Sequence, residues 1–237
     1  MKTSIYYICL LFFLGTASFS QAQAGEKAVS LFPLVKGNYW IYKGKIKWTP
    51  EGAGQKVKSK SLTWQMNTHD VMESAKYRIA LVTGFPNDVA WYEEGMTPQY
   101  SLVVQDDKCI YWNGYENRDN AMEAAKAIEA DNQSSMSDLK CIIEFPLTKG
   151  KKYGVSDESR PDTMYAWYLK KINKVRLKVK GYKSQGPATR FRLIYRTNPD
   201  HIIMEFVPGL GITRYIYEHH GTVAFEDLHL VEYDRKR

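Results

Sequence analysis

From Trp40 onward the sequence alternates apolar and polar residues with a period of two in nearly every stretch long enough to show one. Successive side chains of a strand point to opposite faces, so this alternation predicts half-buried β-strands rather than helices. "WIYKGKIKW" (40–48) and "KVKSKSLTW" (56–64) flank "TPEGAGQ", whose proline and glycines mark a turn, and together they read as a hairpin. Further strand candidates are 77–85, 101–105, 108–112, 139–145, 164–172, 174–182, 190–196, 201–206, 212–219 and 222–233. The predicted fold class is mainly β: one large curved antiparallel sheet, a half-barrel or a closed barrel, with a single short helix.

That helix is the exception to the period of two. Within residues 117–133, Ala121, Ala124, Ala125 and Ile128 recur at i, i+3, i+4 and i+7, the apolar stripe of a helix. Asp119 or Asn120 is placed to cap it, with Glu123 answering Asn120. The stripe is narrow and rich in alanine, so the helix is expected to lie on the sheet. "NQSSMSD" (132–138) then reads as an exposed loop.

A short motif occurs twice. "FPLVKGNYW" begins at Phe32 and "FPLTKGKKY" at Phe145. Pro33 and Pro146 have no N–H and suit strand starts or edges. Gly37 and Gly150 permit a sharp turn before the next strand, whose apolar side starts at Trp40 and Tyr153. Each copy therefore marks the chain turning into a β layer, and the chain divides into two similar halves, 25–138 and 139–237, of one domain.

Residues 1–24 combine an early lysine, an apolar run from Ile5 to Leu14 and Ala22-Gln23-Ala24 before Gly25, the pattern of a cleaved secretory signal. No cysteine stands beside that cleavage point, so no lipid anchor is expected. No later segment is apolar for the ~20 residues a membrane-spanning helix needs. Without Lys2 the balance is 32 basic against 26 acidic residues. A modest positive charge favours anionic surfaces, and outside the cytoplasm those are lipid headgroups and glycans, not nucleic acid. Export also lets Cys109 and Cys141 form a disulfide; the alternative is two buried thiols that pack as small hydrophobes.

Three sets of residues are candidates for binding. Trp40, Trp48, Trp64, Trp112 and Trp167 lie in or beside strand candidates and can line an apolar pocket or form a stacking platform, or simply pack the core. Lys43, Lys45 and Lys47 alternate along one strand and Lys56, Lys58 and Lys60 along its hairpin partner; if the register pairs them, one face carries six ammonium groups that suit a phosphate-bearing glycolipid. Lysines on exposed strands also serve simply to keep a sheet soluble. His219, His220 and His229, with Glu218, Glu226 and Asp227, are the nearest approach to a metal set. Adjacent histidines on a strand point to opposite faces, so no metal site is expected there. Nucleophile elbows, zinc-protease motifs, phosphate loops and calcium loops do not occur, and no cofactor is expected.

"FPLVKGNYWIYKG" and "EFVPGLGITRYIYEHHGTVAFEDLHLVEY" resemble a group of poorly characterised bacterial secreted and lipoprotein-like envelope proteins. Those begin with Pro-Leu-x-x-Gly-x-x-Trp-x-Tyr, here Pro33, Leu34, Gly37, Trp40 and Tyr42. They close with an aromatic and Pro-Gly-x-Gly, here Phe206, Pro208, Gly209 and Gly211. The resemblance implies an envelope location and a curved β architecture, and it brings no activity with it. The expectation is an exported, non-enzymatic protein, periplasmic or extracellular, that binds an apolar or lipid-like molecule, an envelope glycolipid or a protein partner. The alternatives are a glycan hydrolase using paired carboxylates and a structural subunit of a surface complex.

Overall fold

The computed structural model describes residues 31–50, 54, 56–88, 97–131, 133–154, 162–220 and 224–235; the segment read as a signal lies outside them. Twelve antiparallel strands form a single sheet that curls into a nearly closed barrel. The strands fall into two meanders of six. The first contains β1 (Tyr39–Trp48), β2 (Lys58–Glu73), β3 (Arg78–Thr83), β4 (Tyr100–Gln105), β5 (Cys109–Tyr115) and β6 (Lys140–Glu144). Between β5 and β6 lie α1 (Arg118–Glu129) and α2 (Gln133–Ser137). The second contains β7 (Lys152–Tyr153), β8 (Trp167–Val175), β9 (Ala188–Arg196), β10 (Asp200–Val207), β11 (Gly211–His219) and β12 (Ala224–Asp234).

Across the sheet the order is β6-β5-β4-β3-β2-β1-β12-β11-β10-β9-β8-β7, so within each meander every strand pairs only with its sequence neighbours. β1 joins β12 along ten residue pairs, from Tyr39 opposite Asp234 to Trp48 opposite Ala224. β6 and β7 are the two free edges. β6 pairs with β5, so the first meander runs to Glu144.

The two copies of the repeated motif make the same turn. Gly37 and Gly150 have φ of 84° and 83°, a conformation that glycine adopts without steric cost. Gly37 N–H donates to the Thr68 carbonyl and Asn38 N–H to that of Val35; Gly150 N–H donates to Leu169 and Lys151 N–H to Thr148. Both acceptor strands carry a register shift beside the acceptor, between Thr68 and Asp70 in β2 and between Leu169 and Lys171 in β8. The motif phenylalanines meet the same partner: the Phe32 and Phe145 ring centroids lie 6.2 and 6.3 Å from that of Phe206.

The alternation places Trp40, Tyr42, Ile46, Met66, Ala80, Val82, Val103, Leu193, Met204, Phe206, Tyr215, Leu228 and Tyr233 in the main core inside the barrel. At roughly 25 cal/mol per Å2 of buried apolar surface, this aromatic interior dominates the drive to fold. The opposite faces of β3 and β4 present Ile79, Leu81, Leu102 and Val104, and α1 covers them with Ala121, Ala125 and Ile128. The helix therefore lies on the sheet, outside the barrel, as its alanine stripe predicts. Its cap is Asn117, whose Oδ1 accepts the Asn120 N–H at 2.9 Å; the cap precedes the expected Asp119 or Asn120 because the first helical turn begins at Arg118. The segment read as a loop after it holds a second, short helix, α2.

The segment 174–182 is a second departure. β8 ends at Val175, and the chain beyond it runs alongside the free end of β12, where Lys180 N–H donates to Val231 and Lys180 accepts from Tyr233 N–H. β11 pairs with β12 only as far as His229. The last residues of β12 thus have an open edge, and Lys180 satisfies it. The remaining outer face carries many charges, with Lys43, Lys45, Lys47, Arg192, Arg214 and Asp227 in outward register around Ile194, Ile203 and Ile216. This is the reverse of a membrane-spanning barrel, whose outward band is apolar. No helix among the described residues is long and apolar enough to cross a membrane.

Candidate functional site: a cavity at the open seam

In strand order the junction of β1 with β12 corresponds to that of β7 with β6. The first is zipped by a ladder; the second is not. β7 is two residues long, and among the described residues no ladder joins it to β6. Tyr153 Oη donates to the Ile142 carbonyl at 3.0 Å across the gap. Burial holds the Tyr153 phenol protonated far above the ordinary tyrosine range, so it remains a donor.

Behind this seam lies a cavity of about 390 Å3. β6 supplies Lys140, Cys141 and Ile142, and Gly154 lies just past β7. Two aromatic pairs wall it: Phe85 stacks on Trp112 with centroids 5.5 Å apart, and Trp167 lies 5.2 Å from Tyr195. Ile202, Met204 and Tyr215 close the far side. Polar groups are few. Tyr215 Oη donates to Asn87 Oδ1 at 2.7 Å, and Trp112 Nε1 is buried without a hydrogen-bond partner. No carboxylate is among the described residues that line it.

Of the five tryptophans proposed from sequence, the cavity brings together Trp112 and Trp167. Trp40 and Trp64 are core residues whose indole N–H groups are committed to the carbonyls of Leu210 and Gly84, at 2.7 and 2.8 Å. Trp48 sits near the end of β1 with Lys60 Nζ 5.4 Å from its ring centroid. Strand periodicity identifies which face a tryptophan occupies and carries no information on whether the space in front of it is filled. Phe85, Tyr195 and Met204, which complete the lining, had no sequence signal beyond being apolar in or next to a strand.

The six lysines do not share a face. Lys43, Lys45 and Lys47 stand opposite Thr63, Ser61 and Ser59, while Lys58 and Lys60 stand opposite Trp48 and Ile46. Residues in direct register share a face, so Lys58 and Lys60 lie on the side of the inward Ile46. A register displaced by one residue sends the second set to the other face. Lys56 is exposed ahead of β2.

Cys109 on β5 and Cys141 on β6 place their sulfurs 2.7 Å apart, and Cys141 forms part of the cavity wall. The pair holds its first proton weakly and its second tightly: the Cys141 S–H hydrogen bond lowers the Cys109 thiol, and the same contact, then burial, raises Cys141. The histidines named from sequence separate, His219 Nδ1 lying 2.7 Å from Asp200 and His229 Nε2 lying 3.1 Å from Asp227. Glu226 faces inward opposite Ile46 and is buried, with Oε1 unpartnered. Burial, then Asp88 and Asp227, raises its carboxyl well above the usual range.

No family model and no curated protein matches the chain. Two solved structures are similar. One, from Bacteroides fragilis, is provisionally named an exported protein with a YmcC-like fold; it is 10% identical, its whole length aligns with 88% of this chain, and the TM-score is 0.44. The other, from Parabacteroides distasonis, is provisionally named a lipoprotein; it is 10% identical, 99% of it aligns with 87% of this chain, and the TM-score is 0.39.

Proposed function

We propose that this protein is exported to the cell envelope and holds an apolar, lipid-like molecule in the seam cavity, acting by binding and not by catalysis. The observation that carries this reading is the cavity itself. Its volume of about 390 Å3 falls in the range of small-ligand sites, as does a lining of aromatic and aliphatic groups with a few placed polar atoms. An apolar chain is accommodated between the Phe85–Trp112 and Trp167–Tyr195 pairs. An oxygen at its head has the unused Trp112 N–H and the Lys140 ammonium as donors. The seam is the route inward, since no backbone ladder joins β6 to β7 among the described residues.

Export is supported by the signal pattern of residues 1–24. The resemblance of the opening and closing motifs to secreted and lipoprotein-like envelope proteins supports it as well. The positive charge of the outer strands suits an anionic envelope surface.

The test is to purify the protein from the exported fraction and compare native with denaturing mass spectra. The expected result is an added mass that is lost on unfolding and is missing from Met204→Trp, which fills the cavity. A bare native mass, together with no saturable uptake of a fluorescent fatty-acid analogue, overturns the reading.

A further inference from the structure

On the outer face of the second meander, away from the seam, β10 and β11 hold His201 and Glu218 directly opposite each other in the antiparallel register. Residues paired in this way share one face, with side chains about 5 Å apart at Cβ. His220, in the turn after β11, is brought to the same spot by its backbone N–H, which donates to the Pro199 carbonyl at 3.0 Å. His220 Nε2 then lies 3.0 Å from His201 Nδ1, the two rings standing nearly perpendicular with centroids 4.4 Å apart. One ligand atom from each of His201, Glu218 and His220 fits within 4.8 Å of the others.

We propose that His201, Glu218 and His220 form a binding site for a divalent transition-metal ion of the Zn2+ type, with solvent in the remaining position. Zinc takes imidazole nitrogen and carboxylate oxygen at about 2.0 to 2.2 Å in a tetrahedron, which sets neighbouring ligand atoms about 3.3 Å apart. The imidazole nitrogens are already near that spacing, so seating an ion needs only a small rotation of two surface side chains. The two paired strands and the Pro199 hydrogen bond fix the backbone positions of all three residues. Two imidazoles and one carboxylate exclude Ca2+ and Mg2+, which demand oxygen ligands. The sequence rule that adjacent histidines diverge still holds, since His219 turns to Asp200. It misses this site because the second imidazole comes from the neighbouring strand.

The charges facing the ion are mixed. Arg196 stands opposite His201 on β9 and opposes a cation, while Asp200 adds a nearby negative charge. Replacing Arg196 by Gln is therefore expected to tighten binding.

The experiment uses untagged protein freed of metal with a chelator and titrated with Zn2+ against a chromophoric competitor, with native mass spectrometry to count ions. The expected result is one equivalent of Zn2+, no response to Mg2+ or Ca2+, and affinity lowered by at least about tenfold in His201→Ala, His220→Ala and Glu218→Gln. His229→Ala, whose imidazole lies beside Asp227 and apart from this site, is expected to bind as the parent does. Unaltered melting of the metal-free variants shows that the loss is not unfolding. Failure of the parent to bind saturably, or equal binding by the His201→Ala/His220→Ala double variant, overturns the proposal. Co2+ gives a second readout: a visible band of tetrahedral intensity supports the site, and an octahedral aqua spectrum overturns it.

Discussion

Tyr153 and Ile142 face each other across the two free edges of the sheet, and the 3.0 Å hydrogen bond from the phenol to the Ile142 carbonyl bridges the seam. Tyr153→Phe keeps the ring in the core and removes only that bond. The expected cost is about 1 kcal/mol in chemical denaturation, with faster deuterium uptake over residues 140–144. A variant with unchanged midpoint and exchange would show that the seam is held by packing alone.

The Cys109 and Cys141 sulfurs are close enough for oxidation to join β5 to the edge strand β6. Thiol–disulfide exchange with an oxidised dithiol reagent is expected to form the bridge, with the loss of two hydrogens in mass and of both titratable thiols. The chain-entropy model gives roughly 3 to 4 kcal/mol for a loop of this size. Comparing melting with and without reductant, with Cys141→Ser as the unbridgeable control, measures it.

Glu226 and Asp227 are neighbours on β12 with opposite pH behaviour. Burial, then Asp88 and Asp227, raises the Glu226 carboxyl, so the folded state binds its proton more tightly than the unfolded state does. Its contribution is full below about pH 4.5 and is lost as pH rises through the folded value. Glu226→Gln is therefore expected to raise stability at neutral and alkaline pH and to flatten the profile there. Burial would also raise Asp227, but Arg214, bonded at 3.0 and 2.8 Å, and His229 pull it below its usual value. That contribution is present above about pH 4 and is lost on acidification, so Asp227→Asn is expected to remove part of the acid limb. Denaturation midpoints across pH check both.

Gly211 begins β11 at φ 100°, and a Cβ built on it would overlap the Phe32 ring in the core. Gly211→Ala is expected to lose roughly 1 to 3 kcal/mol through backbone strain and overpacking. Gly209, at φ 77° in the turn where Leu210 N–H returns to Val207, is expected to make Gly209→Val similarly costly. Thermal melting measures both.

The fold was legible because strand signals are local. Trp40, Tyr42 and Ile46 announce the inward face of β1, and Ala121, Ala125 and Ile128 announce a helix laid on a sheet. "KVRLKVKGY" shows the limit of that reading: its alternation is regular, yet only its first two residues belong to β8, because the rest satisfies an open edge of β12 that periodicity does not reveal. The site was less legible still. The cavity exists where one strand junction fails to zip, and register relates the lysines and histidines to one another. Both depend on pairings between distant residues, as when His201 meets Glu218 and when Lys60 lands opposite Ile46 and not beside Lys45.

The strand order also dictates how such a chain can assemble. Ten of the eleven strand junctions join sequence neighbours, whereas the ladder from Tyr39 to Asp234 joins residues almost two hundred positions apart. Local pairings form fast and distant ones slowly, so each meander can take shape before the two dock. Until then β1 and β12 are bare edges, each a row of unpaired backbone donors and acceptors of the kind that seeds aggregation. The ladder at the middle of the finished sheet is thus the most vulnerable surface of the nascent one, and the place where a chaperone guarding the unfolded chain has most to protect.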